Sequence, residues 1–147
     1  HKIVVLFIIN KNNQILLEKR SLSKRIHPGV WALCEGHVGV KEDNYVAMKR
    51  ELKEELGVEA NQDSIKFLCK VLKKREKGSN VTFAYYMFLD KEEKDFVIQE
   101  EELSEVKWFD FYKYKNLVLN NDSSVSFSNK PSNMEMLSKI ESIILSR

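Results

Sequence analysis

Gly36-x5-Glu42-x7-Arg50-Glu51-Leu52-x-Glu54-Glu55-x-Gly57-Val58 is the stretch on which the reading of this chain turns, because it sets three carboxylates and an arginine on one short helix. Residues three and four apart share a helical face, so Glu51, Glu54 and Glu55 point the same way within about one turn. Like charge crowded in this way costs free energy unless a cation compensates it. Clustered hard oxygen donors suit Mg²⁺ or Mn²⁺, ions that keep positions open for water and phosphate oxygens. The pattern therefore reads as a place where a divalent cation holds a diphosphate.

The same segment shows how the carboxylates are carried. Tyr45, Met48, Leu52 and Leu56 recur at helical spacing and give one apolar stripe to bury while the charges face a cleft. Asp43 or Asn44 caps the start, and Gly57 supplies the left-handed residue that ends the helix. Glu42 precedes the helix and Arg50 lies on it, so a salt bridge between them ties the loop to the helix while Arg50 braces the neighbouring glutamates. Both are assigned mainly to architecture. A solvated charged helix explains a Glu-Glu pair, but it does not explain all of these positions being filled at once, both glycines and the closing aliphatic residue included.

This constellation resembles the signature of the Nudix hydrolase superfamily, the MutT-like proteins, and the likeness runs over most of the chain. It implies an α+β fold, an α/β/α sandwich with a mixed β-sheet between helices, with residues 1–147 forming a single domain. It also implies that Glu51, Glu54 and Glu55 are metal ligands, with the backbone carbonyl of Gly36 as a further one. Such proteins often add a carboxylate from a later loop, and Glu100-Glu101-Glu102 stands where it is expected, ahead of Val106-Lys107-Trp108-Phe109. Glu102 is favoured and Glu100 is the second choice. The expected catalytic set is then Arg50, Glu51, Glu54, Glu55 and Glu102, with Mg²⁺ as cofactor and Mn²⁺ as the alternative. The implied activity is that of a pyrophosphohydrolase, cleaving a diphosphate bond in a nucleoside diphosphate linked to another moiety by metal-activated water.

A second resemblance covers Gln14 to Trp31, where QILLEKRSLSKRIHPGVW looks like the corresponding region of type 1 isopentenyl diphosphate isomerases, which share the Nudix fold. Those enzymes place a cysteine directly before a Gly-His pair and use histidines on the first strand and after the glycine as metal ligands. Here His1 and His37 fall at matching places, but Glu35 stands directly before Gly36-His37 and Cys34 lies one position earlier. Alternation along an extended segment sends adjacent side chains to opposite faces, so the thiol is displaced. Cys34 reads instead as a packed small hydrophobe, since nothing nearby in sequence supplies a basic neighbour to activate it. The intact box favours hydrolysis over isomerisation. A non-catalytic nucleotide-binding sensor is the third reading, and a sensor has no evident reason to keep the full carboxylate set.

The composition agrees with a compact enzyme. The chain has 147 residues, 43% of them apolar and 31% charged, enough for one real core and unlike a disordered or fibrous protein. The apolar run Ile3 to Ile9 is too short to span a bilayer and lacks the flanks of a cleavable signal, so no membrane partner is expected. Two cysteines, Cys34 and Cys69, without a CxxC pairing fit a reducing cytoplasm. A net charge of +2 gives no long-range footprint for a stable nucleic-acid complex. The expected partner is a small-molecule diphosphate, and a homodimer is compatible with the sequence. Lys19, Arg20, Lys24 and Arg25 precede the box and are candidates to grip a distal phosphate. Trp31, Phe83, Tyr85 and the loop near Asn120 are candidates to hold the attached group, the aromatics by stacking a base.

Periodicity and turn signals place strands at Ile3 to Ile9 and Gln14 to Glu18, with a turn through Lys11-Asn12-Asn13, and short extended pieces around Trp31 and at His37 to Val40. Ser64 to Arg75 and Val81 to Leu89 read as a hairpin closed by Lys77-Gly78-Ser79-Asn80, followed by a strand at Glu105 to Phe109 and a helix at Phe111 to Leu119. The Asn/Ser-rich segment Asn120 to Asn129 reads as a mobile surface loop. Pro131 opens a last helix with Met134, Leu137, Ile140 and Ile144 along one face.

Overall fold

One mixed sheet organises the molecule, and it is visible in a computed structural model that describes residues 1–61, 63–74 and 76–147. The strands are β1 (Lys2–Ile9), β2 (Gln14–Arg20), β3 (Trp31–Ala32), β4 (Cys34–His37), β5 (Lys66–Lys74), β6 (Ser79–Phe88) and β7 (Leu103–Asp110). The main path runs β3-β2-β1-β6-β5, while β4 pairs with β1 and β7 with β2. Only β1 and β6 run parallel among these pairs, from Lys2 opposite Val81 to Ile9 opposite Phe88.

Three α-helices cover the two faces: α1 (Asn44–Leu56), α2 (Phe111–Leu119) and α3 (Pro131–Leu145). Parity along β1 sorts the core. Val4, Leu6 and Ile8 pack with Ala47, Met48, Leu52 and Leu56 of α1. Val5, Phe7 and Ile9 pack with Phe111, Tyr114 and Val118 of α2 and with Met136, Leu137 and Ile140 of α3. A strand buried on both faces needs an unbroken apolar run, which is what β1 carries. The result is the expected α/β/α sandwich. No helix among the described residues is long and apolar enough to cross a membrane.

The helix carrying the box is fixed at both ends. Asp43 accepts hydrogen bonds from the backbone N–H groups of Tyr45 and Val46, and Gly57 adopts φ 67° at the C-terminus. A side chain at Gly57 is barred twice, by the left-handed backbone and by Val97, whose Cβ lies 2.7 Å from where a Cβ would stand. Removing the Asp43 cap costs about 1 kcal/mol, and truncating Leu52, fully buried on the inner stripe, costs about 2–5 kcal/mol.

Three expectations need correction. The extended piece at His37 to Val40 is the strand β4 at Cys34–His37. It stops where Lys41 takes φ 65° and Glu42 Oε1 accepts from the Gly39 N–H at 2.8 Å. Ser79 and Asn80 are not in a closing turn but pair with Lys74 and Lys73, leaving Gly78 at φ 85° to reverse the chain; Arg75, expected at the strand's end, lies outside the described residues. The segment Asn120 to Asn129 is not a loose loop. Val125 and Phe127 are buried in the core, and Trp31 donates to the Ser124 carbonyl at 2.8 Å while accepting from the Ser126 N–H at 2.9 Å.

Candidate active site

Arg50 organises the first half of the site. Its Nε and Nη2 hold the two oxygens of Glu42 at 2.9 and 3.1 Å, Nη1 reaches Glu51 at 2.8 Å and Glu54 at 3.4 Å, and Nη2 also donates to the His37 carbonyl at 3.0 Å. One planar guanidinium thus ties the loop before α1, the end of β4 and two carboxylates of the helix together, which a point-charge ammonium cannot do. The Arg50 hydrogen bonds, helped by the Gly39 N–H, hold the Glu42 carboxyl down at about 2. Glu51 behaves differently. Its burial pushes the carboxyl up, and Arg50 opposes that shift.

Gly36 is the point where the helix meets the sheet. A Cβ built on it would stand 2.1 Å from Glu51 Cδ and 2.3 Å from Oε1, so only glycine lets this carboxylate lie against the β4 backbone. The donor set of one backbone segment and two or more carboxylates suits a hard divalent cation. Gly36 also lines a cleft of about 700 Å³, to which α3 contributes Asn133.

That cleft carries mostly basic and polar groups. Arg20, Lys73 and Lys130 line it together with His1, His27 and His37, and Glu35 is its one carboxylate among the described residues. Phe127 forms an apolar wall with Lys73 Nζ 4.8 Å from its ring centroid. Thr82 and Asn133 also line it, both buried, and Thr82 Oγ1 and Asn133 Oδ1 have no hydrogen-bond partner among the described residues.

The remaining expected residues fall in several places. Within the acidic run Glu100 and Glu101 are exposed, whereas Glu102 is half-buried and its Oε2 pairs with Lys24 Nζ, joining the loop after β2 to the loop before β7. Arg25 is exposed and does not line the cleft. Trp31 and Tyr85, expected to hold the substrate's attached group, lie outside the cleft lining: Trp31 stacks edge-on against Phe109 and Tyr85 against Phe67. Phe127, inside a segment whose composition signalled only a loop, is the aromatic that faces the cleft.

Glu55 does not join the Arg50 fan. It turns under α1 and accepts from Cys34 Sγ at 3.4 Å, beside Glu18 of β2. Glu18, Cys34 and Glu55 each offer one ligand atom, and these atoms lie within 4.8 Å of one another. Burial raises both carboxyls and the thiol above their ordinary values, and their mutual charge adds to it for Glu55 and Cys34. Cys34 is indeed packed, 1% exposed, but its polar neighbours are acidic. Glu18 was missed by the sequence reading, although it sits two residues after Leu16 and must share that residue's face.

A family model described as NUDIX domain matches residues 1–127. The Arabidopsis thaliana protein Nudix hydrolase 3 is 29% identical over 83% of this chain and 17% of its own length. An isopentenyl-diphosphate Delta-isomerase of Corynebacterium glutamicum is 40% identical over 37% of this chain and 30% of its own. The chain thus spans less than a third of either relative. The NUDIX domain of Shewanella oneidensis NrtR, solved with ADP ribose, superposes with a TM-score of 0.69 at 19% identity, covering 97% of this chain and 87% of that one. At that identity the likeness is one of fold.

Proposed function

Because the chain belongs to the Nudix family, we propose that it is a Mg²⁺-dependent hydrolase, with Mn²⁺ as a substitute, that cleaves the diphosphate bond of a nucleoside diphosphate linked to another moiety. The observation that carries this reading is Gly36, which both abuts the Glu51 carboxylate and lines the basic cleft. A carboxylate-rich helix and an anion-compatible cavity meet at one backbone residue. The polar lining, with Thr82 Oγ1 and Asn133 Oδ1 lacking partners among the described residues, suits a nucleoside better than a hydrocarbon, since a buried polar atom facing an apolar ligand keeps its desolvation cost.

In this reading Glu51, Glu54, Glu55 and the Gly36 carbonyl hold the cation, with Glu102 as the later-loop carboxylate. A cation held there would supply charge neutralisation for the diphosphate and a lowered pKa for a water. The protein's own groups do the positioning. Arg50 fixes Glu51 and Glu54 through hydrogen bonds that also anchor the loop at Glu42 and the strand end at His37. Arg20 and Lys130 at the cleft wall attract the phosphates. Glu102 is the candidate general base, and Lys24 sets its position. The two buried cysteines, not joined to each other, are compatible with the reducing cytoplasm proposed for the chain.

Isomerisation is the second reading, supported by the local identity to isopentenyl-diphosphate isomerases. Against it, the residue directly before Gly36-His37 is Glu35, which lines the cleft, while Cys34 is turned under α1 and does not. The test is a screen with Mg²⁺ of nucleoside triphosphates, dinucleoside polyphosphates, ADP-ribose, nucleotide sugars and isopentenyl diphosphate. Release of a nucleoside monophosphate is the expected result. Conversion of isopentenyl diphosphate to its isomer without hydrolysis of any nucleotide would overturn it.

A further inference from the structure

Beneath the C-terminal half of α1 the sheet presents a donor set that hard-cation chemistry does not account for. Glu18 enters from β2, Cys34 from β4 and Glu55 from the helix, with their ligand atoms within 4.8 Å of one another. Glu18 is only 2% exposed and its Oε2 has no hydrogen-bond partner among the described residues. A buried carboxylate oxygen without a donor is costly, and among the described residues no lysine, arginine or histidine is paired with the group to offset it. The oxygen faces a thiol and a second carboxylate instead.

We propose that Glu18, Cys34 and Glu55 form a second cation site, selective for a thiophilic divalent ion of the Zn²⁺ or Co²⁺ kind and distinct from the Mg²⁺ site of the box, with which it shares Glu55. The donor chemistry sets the selectivity. A thiolate with two carboxylates matches the borderline-soft ions, whereas Mg²⁺ takes oxygen ligands alone. The size fits as well. Bonds of about 2.1 Å to oxygen and about 2.3 Å to sulfur span about 3.6 Å at the tetrahedral angle, so the trio needs to close by about an ångström. Binding the ion releases to solvent the thiol proton of Cys34 together with the protons that burial keeps on the Glu18 and Glu55 carboxyls, and the two carboxylates and the thiolate then supply three negative charges to the dication.

The sharing of Glu55 makes this inference rest in part on the hydrolase reading, and the test separates the two. The full chain, freed of metal, is titrated with Co²⁺ and followed by near-ultraviolet absorption, where a thiolate bound to cobalt gives a charge-transfer band that oxygen ligands do not. One equivalent should produce the band. Cys69 sits on the opposite face of the sheet, so Cys69→Ser should keep the band while Cys34→Ser loses it. Glu18→Gln should weaken Co²⁺ binding by more than about tenfold. Calorimetric binding of Co²⁺ with no band, a band lost in Cys69→Ser, or unchanged affinity in Glu18→Gln would each overturn the proposal. Should Cys34→Ser fail to fold, Cys69→Ser still decides, because Cys34 is then the chain's remaining thiol. Mg²⁺-supported hydrolysis measured on the same wild-type preparation distinguishes the failures: a missing band with intact hydrolysis removes only the second site, and a band without hydrolysis removes only the function.

Discussion

The two carboxylate groups of α1 are handled in opposite ways. On the outer side Glu42, Glu51 and Glu54 share one guanidinium, and the Glu42 carboxyl is held down at about 2. On the inner side Glu55 meets Glu18 and Cys34 with no basic side chain paired to the group among the described residues, and burial pushes all three upward. Adjacent residues of one helix, Glu54 and Glu55, thus belong to two electrostatic environments. The difference teaches that the arginine is the scaffold of the box and that the buried trio is a store of unoffset acidity, which only protons or a cation can relieve.

The comparison breaks most visibly at Gly36. Gly36→Ala would drive a methyl into Glu51 Cδ, 2.1 Å away, and shift the carboxylate by about an ångström, a misplacement that costs about a hundredfold in rate. Steady-state hydrolysis with Mg²⁺ checks this, and activity within threefold of wild type would detach Gly36 from the site. Arg50→Lys keeps the charge but loses the fork. Activity should fall, and because the partners are partly exposed, stability should fall by only about 1 kcal/mol, about 3 °C in melting temperature at this chain length. An unchanged melting temperature with lost activity would make Arg50 a direct catalytic group instead of a brace.

Stability against pH sharpens the contrast because Glu42 and Glu18 carry opposite signs. Glu42 has a lowered folded-state value, so its contribution is present above the ordinary 4.5 and is lost as pH falls toward about 2. Glu18 has a raised one, so the stability its neutral carboxyl allows is present below the ordinary 4.5 and is lost as pH rises above it. In metal-free protein Glu42→Gln should therefore lower the melting temperature at pH 7 and leave it unchanged near pH 2. Glu18→Gln, an imitation of the neutral acid, should raise it at pH 8 and leave it unchanged near pH 4. Thermal melts across that range read both effects, and the same sign in both variants would dissolve the distinction between the two sides.

Much of this was legible before any coordinates. The box helix, its cap at Asp43 or Asn44, its Gly57 end and the Arg50–Glu42 bridge follow from spacing, because each rests on contacts within about a dozen residues; the structure selects Asp43. The helices at Phe111 and Pro131 were equally local. What escaped depended on pairing between distant strands. Asn120 to Asn129 has the composition of a turn, but Val125 and Phe127, two residues apart, anchor it beside Trp31. An aromatic on a strand shows its chemistry and not its neighbours, so the edge-on contacts of Trp31 with Phe109 and of Tyr85 with Phe67 were not legible either. Glu18 stands at the point where β2 turns from apolar to charged residues, which masked its alternation with Leu16, and the register opposite Ala32 of β3 and Val106 of β7 places it inside.

The central claim, that the glutamates of α1 hold the cation that makes this chain a diphosphate hydrolase, is tested most directly by kcat at saturating Mg²⁺ in Glu54→Gln and Glu55→Gln. Each substitution keeps side-chain size and removes one charged ligand. The account predicts that kcat falls more than about tenfold in each, a loss of about 1.4 kcal/mol of transition-state stabilisation, with the folded structure retained by circular dichroism. Wild-type turnover in both variants would contradict it.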